Sequence, residues 1–171
     1  GNGTGGYGAK TDLTTGINPH SVAIADLNAD GKPDLSMANA SSASVSVLPG
    51  NGAGGFGART DYTTATGPGT VAVGDVNLDG RPDLATANGA GGNVSVLLGN
   101  GFGGFGPKSD FPFAVLPSSV AIADASGDGK PDLVATNGGS ASVSVRPGDG
   151  FGGFGPKTDF TTGANPQSVA V

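Results

Sequence analysis

The chain repeats itself every 49 residues, from Asp26 to Asp75 to Asp124, and each copy carries the same acidic loop. The three loops share the pattern D-x-[NS]-x-D-G-x-P-D. A fixed period of this length is typical of architectures in which small units stack, and it favours a solenoid or a propeller. An oxygen-rich loop with one bend-forming glycine indicates in addition a site for a hard cation.

The repeats align as residues 1–49, 50–98 and 99–147, followed by a partial copy at 148–171. Each copy opens with a glycine-rich segment, and short alternating apolar runs lie on either side of the acidic loop. We therefore interpret residues 1–171 as a single repeat domain of about 3.5 repeats.

Each copy is predicted to form four short strands, which we place in the first copy at 21–26 (A), 34–39 (B), 44–48 (C) and 56–63 (D). Alternation of Val and Ser supports strand C best, and small residues suit strand A as the innermost strand. The 34 glycines and 12 prolines argue against helices. The predicted fold class is all-β, with four-stranded antiparallel propeller blades; a parallel β-helix is the rival, but its coils are usually shorter.

The acidic loops concentrate the charge of the chain. All 14 acidic residues are Asp, the formal net charge is −6, and most of these residues lie in the three loops. Side chains at loop positions 1, 3, 5 and 9 and the carbonyl of position 7 are predicted to bind calcium, up to three ions per chain. These positions are Asp26, Asn28, Asp30, Lys32 and Asp34; Asp75, Asn77, Asp79, Arg81 and Asp83; and Asp124, Ser126, Asp128, Lys130 and Asp132.

Other interpretations of the loops are less favoured. An EF-hand needs a carboxylate at position 12, where the three copies carry Met37, Thr86 and Ala135. Asx turns without an ion leave the clustering of carboxylates unexplained, and magnesium demands a more rigid octahedral site. Because a hydroxyl is a weaker ligand than an amide oxygen, Ser126 predicts weaker binding at the third loop.

The second copy resembles the FG-GAP (VCBS-type) repeat, and the other copies follow it. The similarity rests on TVAVGD at 70–75, the acidic loop, LATAN at 84–88 and GGFGP at 103–107. The resemblance implies propeller blades, seven of them in the integrin α-subunit head, with calcium in the A–B hairpin. It also implies an extracellular or secreted protein and a role in adhesion or glycan recognition.

Strand order places the A–B and C–D loops on one face of the blades and the D–A and B–C loops on the other. The copies differ most on the second face, at 16–20, 65–69 and 114–118, where we expect a ligand to bind. The candidate ligand-binding residues, weakly indicated, are Phe113, Val115 and Leu116, which form an apolar cluster with Phe111. Local packing or an interface between chains is the favoured alternative for this cluster.

Composition excludes several functions. The chain has no basic patch for nucleic acid, no cysteine, and no apolar run long enough for membrane insertion. His20 is the only histidine, and no nucleophile–base pair forms around it. We therefore predict a non-enzymatic, calcium-stabilised propeller module that binds a protein or a glycan. The alternative is a purely structural scaffold, a propeller fragment or a recently duplicated or engineered repeat protein that self-assembles.

Self-association is expected because three blades cannot close a propeller. The chain supplies, on this interpretation, three complete blades, a lone D strand at its start and a lone A strand at its end. Two chains give about seven repeats in total, which favours a homodimer.

Overall fold

A computed structural model describes residues 5–6 and 8–171, and the regular structure in this part of the chain is almost entirely β-strand. The first sheet contains β1 (Pro19–Ala25), β2 (Asp34–Asn39), β3 (Ser44–Leu48) and β4 (Thr60–Thr63). The second contains β5 (Pro68–Gly74), β6 (Asp83–Asn88), β7 (Asn93–Leu97) and β8 (Ser109–Pro112). The third contains β9 (Pro117–Ala123), β10 (Asp132–Asn137), β11 (Ser142–Arg146) and β12 (Thr158–Thr161). A 3-10 turn at Gly138–Ser140 connects β10 and β11.

Each sheet is antiparallel, and its strands are paired in chain order, as expected for a propeller blade. The predicted bounds of strands B and C are confirmed in the first copy. Strand D is shorter than predicted, because residues 50–57 close into a loop through Asn51 N–H to Gly55 O (2.9 Å) and Gly57 N–H to Pro49 O (2.7 Å).

The lone terminal strands predicted from the sequence are not formed. Residues 8–14 and 166–171 contain no strand. The physical reason is that neither segment has a neighbouring strand B or C with which to complete a ladder of backbone hydrogen bonds. The first residue of the predicted N-terminal strand, residue 7, lies outside the described residues.

The core lies between the sheets and is divided into two layers. One layer, between the first and second sheets, includes Leu27, Val45, Val71 and Leu84. The other, between the second and third sheets, includes residues such as Val94, Val120 and Leu133. Alternate side chains of the second sheet therefore serve two different layers, which is the consequence of period-two alternation in a stack of sheets.

The first strands of successive sheets are direct neighbours. Val71 N–H donates to Ser21 Oγ (3.5 Å), and Val120 N–H donates to Thr70 Oγ1 (3.2 Å). The short side chains of these strands permit this close approach. Within the described residues, no helix is long and apolar enough to cross a membrane.

Candidate functional site

In the acidic loop between β1 and β2, side-chain oxygens of positions 1 and 3 both accept the backbone N–H of position 5. Asp30 N–H donates to Asp26 Oδ1 (3.1 Å) and to Asn28 Oδ1 (3.0 Å), and Gly31 N–H donates to Asp26 Oδ2 (2.8 Å). The loop between β5 and β6 repeats this arrangement with Asp75 and Asn77. Side-chain oxygens of loop positions 1 and 3 therefore converge on the exposed side of both loops.

Two left-handed residues shape each loop. The sequence predicted the one at position 6, and Gly31 indeed has a φ of 79°. Position 4 is also left-handed, with Ala29 at 59° and Leu78 at 58°, and this was missed. The signal available in the sequence was Gly127, which occupies position 4 of the third loop.

The aspartate at position 9 is turned inward. Asp34 is 1% exposed, and its two oxygens accept Leu27 N–H (2.9 Å) and Gly50 N–H (2.7 Å). Asp83 accepts the N–H groups of Val76 and Gly99 in the same way, and Asp132 those of Ala125, Ser126 and Gly148. This carboxylate therefore joins the acidic loop to the second residue after the third strand of its own sheet.

A glycine is required where that junction is made. A Cβ atom on Gly50 would lie 2.0 Å from the carbonyl oxygen of Pro33, and the same distance separates the equivalent positions of the other two copies. The Pro at loop position 8 and the Gly after strand C are thus a matched pair, although they lie far apart in the sequence.

Burial affects the charge of the inward carboxylate. Burial raises the pKa of Asp83, and the charges of Asp79 and Asp75 raise it further, while the N–H groups of Gly99 and Val76 oppose the rise. The exposed carboxylate of Asp124 behaves differently, because the N–H groups of Gly129, Gly127 and Asp128 lower its pKa. Backbone N–H groups thus favour the charged form of the exposed Asp124 in the third loop, whereas burial disfavours the charged form of Asp83 in the second.

The third loop differs from the other two at position 3. Ser126 Oγ lies 3.5 Å from Asp124 Oδ1, and Asp128 N–H donates to Asp124 alone (3.0 Å). The hydroxyl does not take the place of the Asn28 amide oxygen, so this loop presents a smaller set of converging oxygens.

The donor set fits a hard cation in part. In the first two loops, oxygens of positions 1 and 3 lie close enough to share one N–H donor, and calcium takes oxygen ligands of these kinds. At position 5, however, Asp30 pairs with Lys32 (3.3 Å), and at position 9 the carboxylate already accepts backbone donors. Among the described residues, no group of three or more His, Cys, Asp or Glu side chains is arranged to hold a metal ion. The calcium ligands named from the sequence therefore stay a prediction.

The opposite face is formed by D–A loops and B–C turns that are joined by backbone hydrogen bonds. Ala40 N–H donates to Asn18 O, Gly89 N–H to Gly67 O and Gly138 N–H to Leu116 O, each at 2.9 Å. These segments surround an open cleft of about 400 Å³. Its lining includes one equivalent residue from each of the four copies, namely His20, Gly69, Ser118 and Gln167.

The candidate ligand-binding residues separate into two groups. Phe113 is buried in the core, and the guanidinium of Arg146 lies 5.5 Å from the centre of its ring. Val115 and Leu116 are exposed beside the turn at 89–92, where they line a second open groove. Phe113 therefore contributes to packing, whereas Val115 and Leu116 remain accessible.

A buried polar network runs through each sheet and was not foreseen. Asn39 Nδ2 donates to Ser46 Oγ (2.9 Å), and Ser46 Oγ donates to Asp61 Oδ1 (2.6 Å). Asp61 also pairs with Arg59 (3.2 Å). Arg59 directly precedes β4, so the ion pair does not link two strands, whereas the serine hydrogen bond adds a side-chain link between β3 and β4.

Comparison with known proteins agrees with this architecture. The family model described as FG-GAP-like repeat matches residues 26–86 and 75–135. No curated protein sequence matches the chain. A solved structure of an Agrocybe aegerita lectin, which recognises non-reducing terminal N-acetylglucosamine, is 28% identical with a TM-score of 0.58; the match covers 83% of this chain and 38% of the lectin.

A second solved structure supports the fold alone. The Tc holotoxin pore of Photorhabdus luminescens is 24% identical with a TM-score of 0.51, over 82% of this chain and 7% of the toxin chain. The chain thus spans well under half the length of either protein. Since the family model covers most of the chain and three blade-like sheets follow its repeats, the chain belongs to the FG-GAP-like repeat family.

Proposed function

We propose that this chain is a non-enzymatic binding module that recognises a glycan, and that calcium in the acidic loops stabilises its blades. The observation that carries the proposal is the likeness to a lectin that recognises terminal N-acetylglucosamine. A module of this kind functions outside the cell, where its glycan ligands are displayed. A protein ligand for the same face is the second candidate.

The cleft on the face opposite the acidic loops is the proposed glycan site. His20, Ser118, Asn165 and Gln167 line it and supply hydrogen-bonding side chains, while Leu116 and Pro117 supply apolar surface. Binding sites commonly combine apolar surface with a few placed polar groups. The residues that differ among the copies meet here, as expected for a ligand site supported by a rigid scaffold.

Removal of two polar side chains tests the site. We expect Ser118→Ala combined with His20→Ala to weaken binding of an N-acetylglucosamine oligosaccharide at least about tenfold, because each lost hydrogen bond contributes roughly 1 kcal/mol. Glycan-array screening would identify the best sugar, and calorimetric titration would measure its affinity. Ala53→Ser, an exposed change on the acidic-loop face, is the control and should leave affinity unchanged.

Two results would contradict this assignment. One is a bound sugar that contacts the loops of Asp26 and Asp75 directly, since the ligand would then lie on the acidic-loop face. The other is a glycan array on which no sugar binds the folded chain. A protein ligand would be favoured only if substitutions at 114–118 or 138–140 changed its binding.

Calcium is proposed to stabilise the first two loops most strongly. Bound calcium would offset repulsion among the carboxylates of each loop. A free calcium concentration 100 times the dissociation constant would raise the free energy of unfolding by about 2.7 kcal/mol per independent site. An excess of chelator should therefore lower the melting temperature. Asp79→Ala should weaken calcium binding in a titration, whereas Asp12→Ala, an exposed carboxylate outside the loops, should not. An unchanged melting curve in chelator would rule out a stabilising ion.

A further inference from the structure

The two outer faces of the three-sheet stack lack the partners that the inner faces have. Val22 and Ile24 on β1 are 56% and 67% exposed, whereas Val71 and Val120, which match Val22 in the next two copies, are 7% and 6% exposed. On the last sheet Phe160 is 54% exposed. Its counterparts Tyr62 and Phe111 each form an edge-on ring contact with a phenylalanine of the following sheet.

These two faces are complementary, because the chain already contains their contact twice. We call the face of a sheet that points towards the preceding sheet in the chain its leading face, and the opposite face its trailing face. The trailing face of the first sheet packs on the leading face of the second, and the second sheet packs in the same way on the third. The leading face of the first sheet and the trailing face of the third carry the same kinds of residue. A second copy of this chain therefore offers each face a partner of known shape.

The terminal segments of the chain occupy part of these faces. Val169 N–H donates to Ser119 Oγ (3.4 Å), which reproduces the contacts of Val71 with Ser21 and of Val120 with Thr70. Residues 166–171 thus lie where the first strand of a following sheet would lie. At the other end, residues 8–13 lie beside Phe56, the counterpart of the phenylalanines that contact Tyr62 and Phe111.

The two terminal segments also duplicate each other. Lys10-Thr11-Asp12 recurs as Lys157-Thr158-Asp159, and Ser21-Val22-Ala23 recurs as Ser168-Val169-Ala170. Suppose that the third sheet of one chain packs on the first sheet of another. Then β12 of the first chain and residues 8–13 of the second would occupy the same position at the junction. In the same way, β1 of the second chain and residues 166–171 of the first would occupy the same position. β1 and β12 are hydrogen-bonded strands of a complete sheet, whereas the two terminal segments form no strand.

We propose that two copies of this chain close head to tail into a six-bladed ring, and that β1 and β12 displace the terminal segments at both junctions. Phe160 of each copy then contacts Phe56 of the other. Three sheets from each of two chains give six blades, within the usual range of about four to eight, and three chains would exceed it. The count is six and not the seven repeats expected from the sequence, because the displaced terminal segments contribute no strand to the ring.

The contact of Ser119 with Val169 provides a direct test. The chain has no cysteine, so introduced pairs act as clean reporters. Ser119→Cys with Val22→Cys should give a covalent dimer on oxidation, because Val22 of the second copy takes the place of Val169. Ser119→Cys with Val169→Cys is the matched variant, and it should lock the terminal segment in place and hold the chain as a monomer until a reductant is added.

Sedimentation velocity over a concentration series of the full chain supplies the second measurement. We expect a monomer–dimer equilibrium whose dissociation constant rises at least about 100-fold in Val22→Asp/Ile24→Asp, since the new charges would be buried at each junction. Val115→Asp, at a similarly exposed apolar residue outside both faces, should have no effect. Circular dichroism would verify that each variant keeps its β-sheet content, and the cysteine pairs decide the question if the double aspartate variant unfolds.

Three results would overturn the proposal. The first is a chain that stays monomeric at every concentration. The second is failure of the Ser119/Val22 pair to cross-link. The third is an open series of larger assemblies, which would mean that the contact forms without closing a ring.

Discussion

Asp83→Ala is expected to lower the free energy of unfolding by about 3–5 kcal/mol. The substitution leaves the N–H groups of Val76 and Gly99 without their acceptor in a buried site, and each unsatisfied buried donor costs about 1–3 kcal/mol. It also separates the acidic loop from the C–D loop. Urea denaturation in the presence of a chelator would measure the loss without any contribution from metal.

A neighbouring carboxylate provides the control for this experiment. Asp79 lies in the same loop, but its side chain is more exposed: at the surface it accepts Arg81 N–H (2.9 Å) and Asn77 Nδ2–H (3.1 Å), and it forms a long ion pair with Arg81 (3.9 Å). Asp79→Ala in chelator should therefore cost much less than Asp83→Ala, because exposed ion pairs contribute little. Equal losses for the two variants would show that the inward carboxylate is not a structural brace.

We expect a second large effect on the free energy of unfolding when the residue at loop position 12 is exchanged between copies. Thr86 Oγ1 donates to Asn88 Oδ1 (3.0 Å), but Met37 and Ala135 at the same repeat position have no hydroxyl. Within the part of the chain that the structure describes, Asn39 Oδ1 and Asn137 Oδ1 are buried and have no hydrogen-bond partner. Thr86→Val should therefore cost about 1–3 kcal/mol, and Ala135→Thr should stabilise the fold by about 1 kcal/mol.

The hydroxyl itself is tested by a third substitution. Thr86→Ser keeps the donor and removes only a methyl group, so it should cost clearly less than Thr86→Val, which keeps the shape and removes the donor. Thermal unfolding of the three variants beside the parent chain gives the comparison. If Ala135→Thr destabilised the fold instead, the space beside Asn137 would be too small for the added atoms, and the repeats would not be interchangeable there.

Local patterns in the sequence were sufficient to predict the strands of each blade. The alternation of apolar and polar residues placed strands B and C at 34–39 and 44–48, where β2 and β3 are found. The repeat then required the same sheet three times, and the glycine at loop position 6 indicated the left-handed residue found at Gly31. These features depend on side-chain direction and backbone freedom within a few residues, so a single copy already contains the information.

The roles of individual site residues depended on contacts between distant segments. The sequence predicts Asp34 as a calcium ligand, and only the approach of Gly50 shows why its carboxylate is buried. The sequence left Phe113 between ligand binding and local packing, and its burial in the core beneath Arg146 decides for packing. His20, Ser118 and Gln167 share a cleft only because the sheets stack around their first strands. The repeat by itself determined the strands and the acidic loops. Only the tertiary structure decided which carboxylates face inward and which sheet faces have no partner, because these two features depend on how one copy packs on the next.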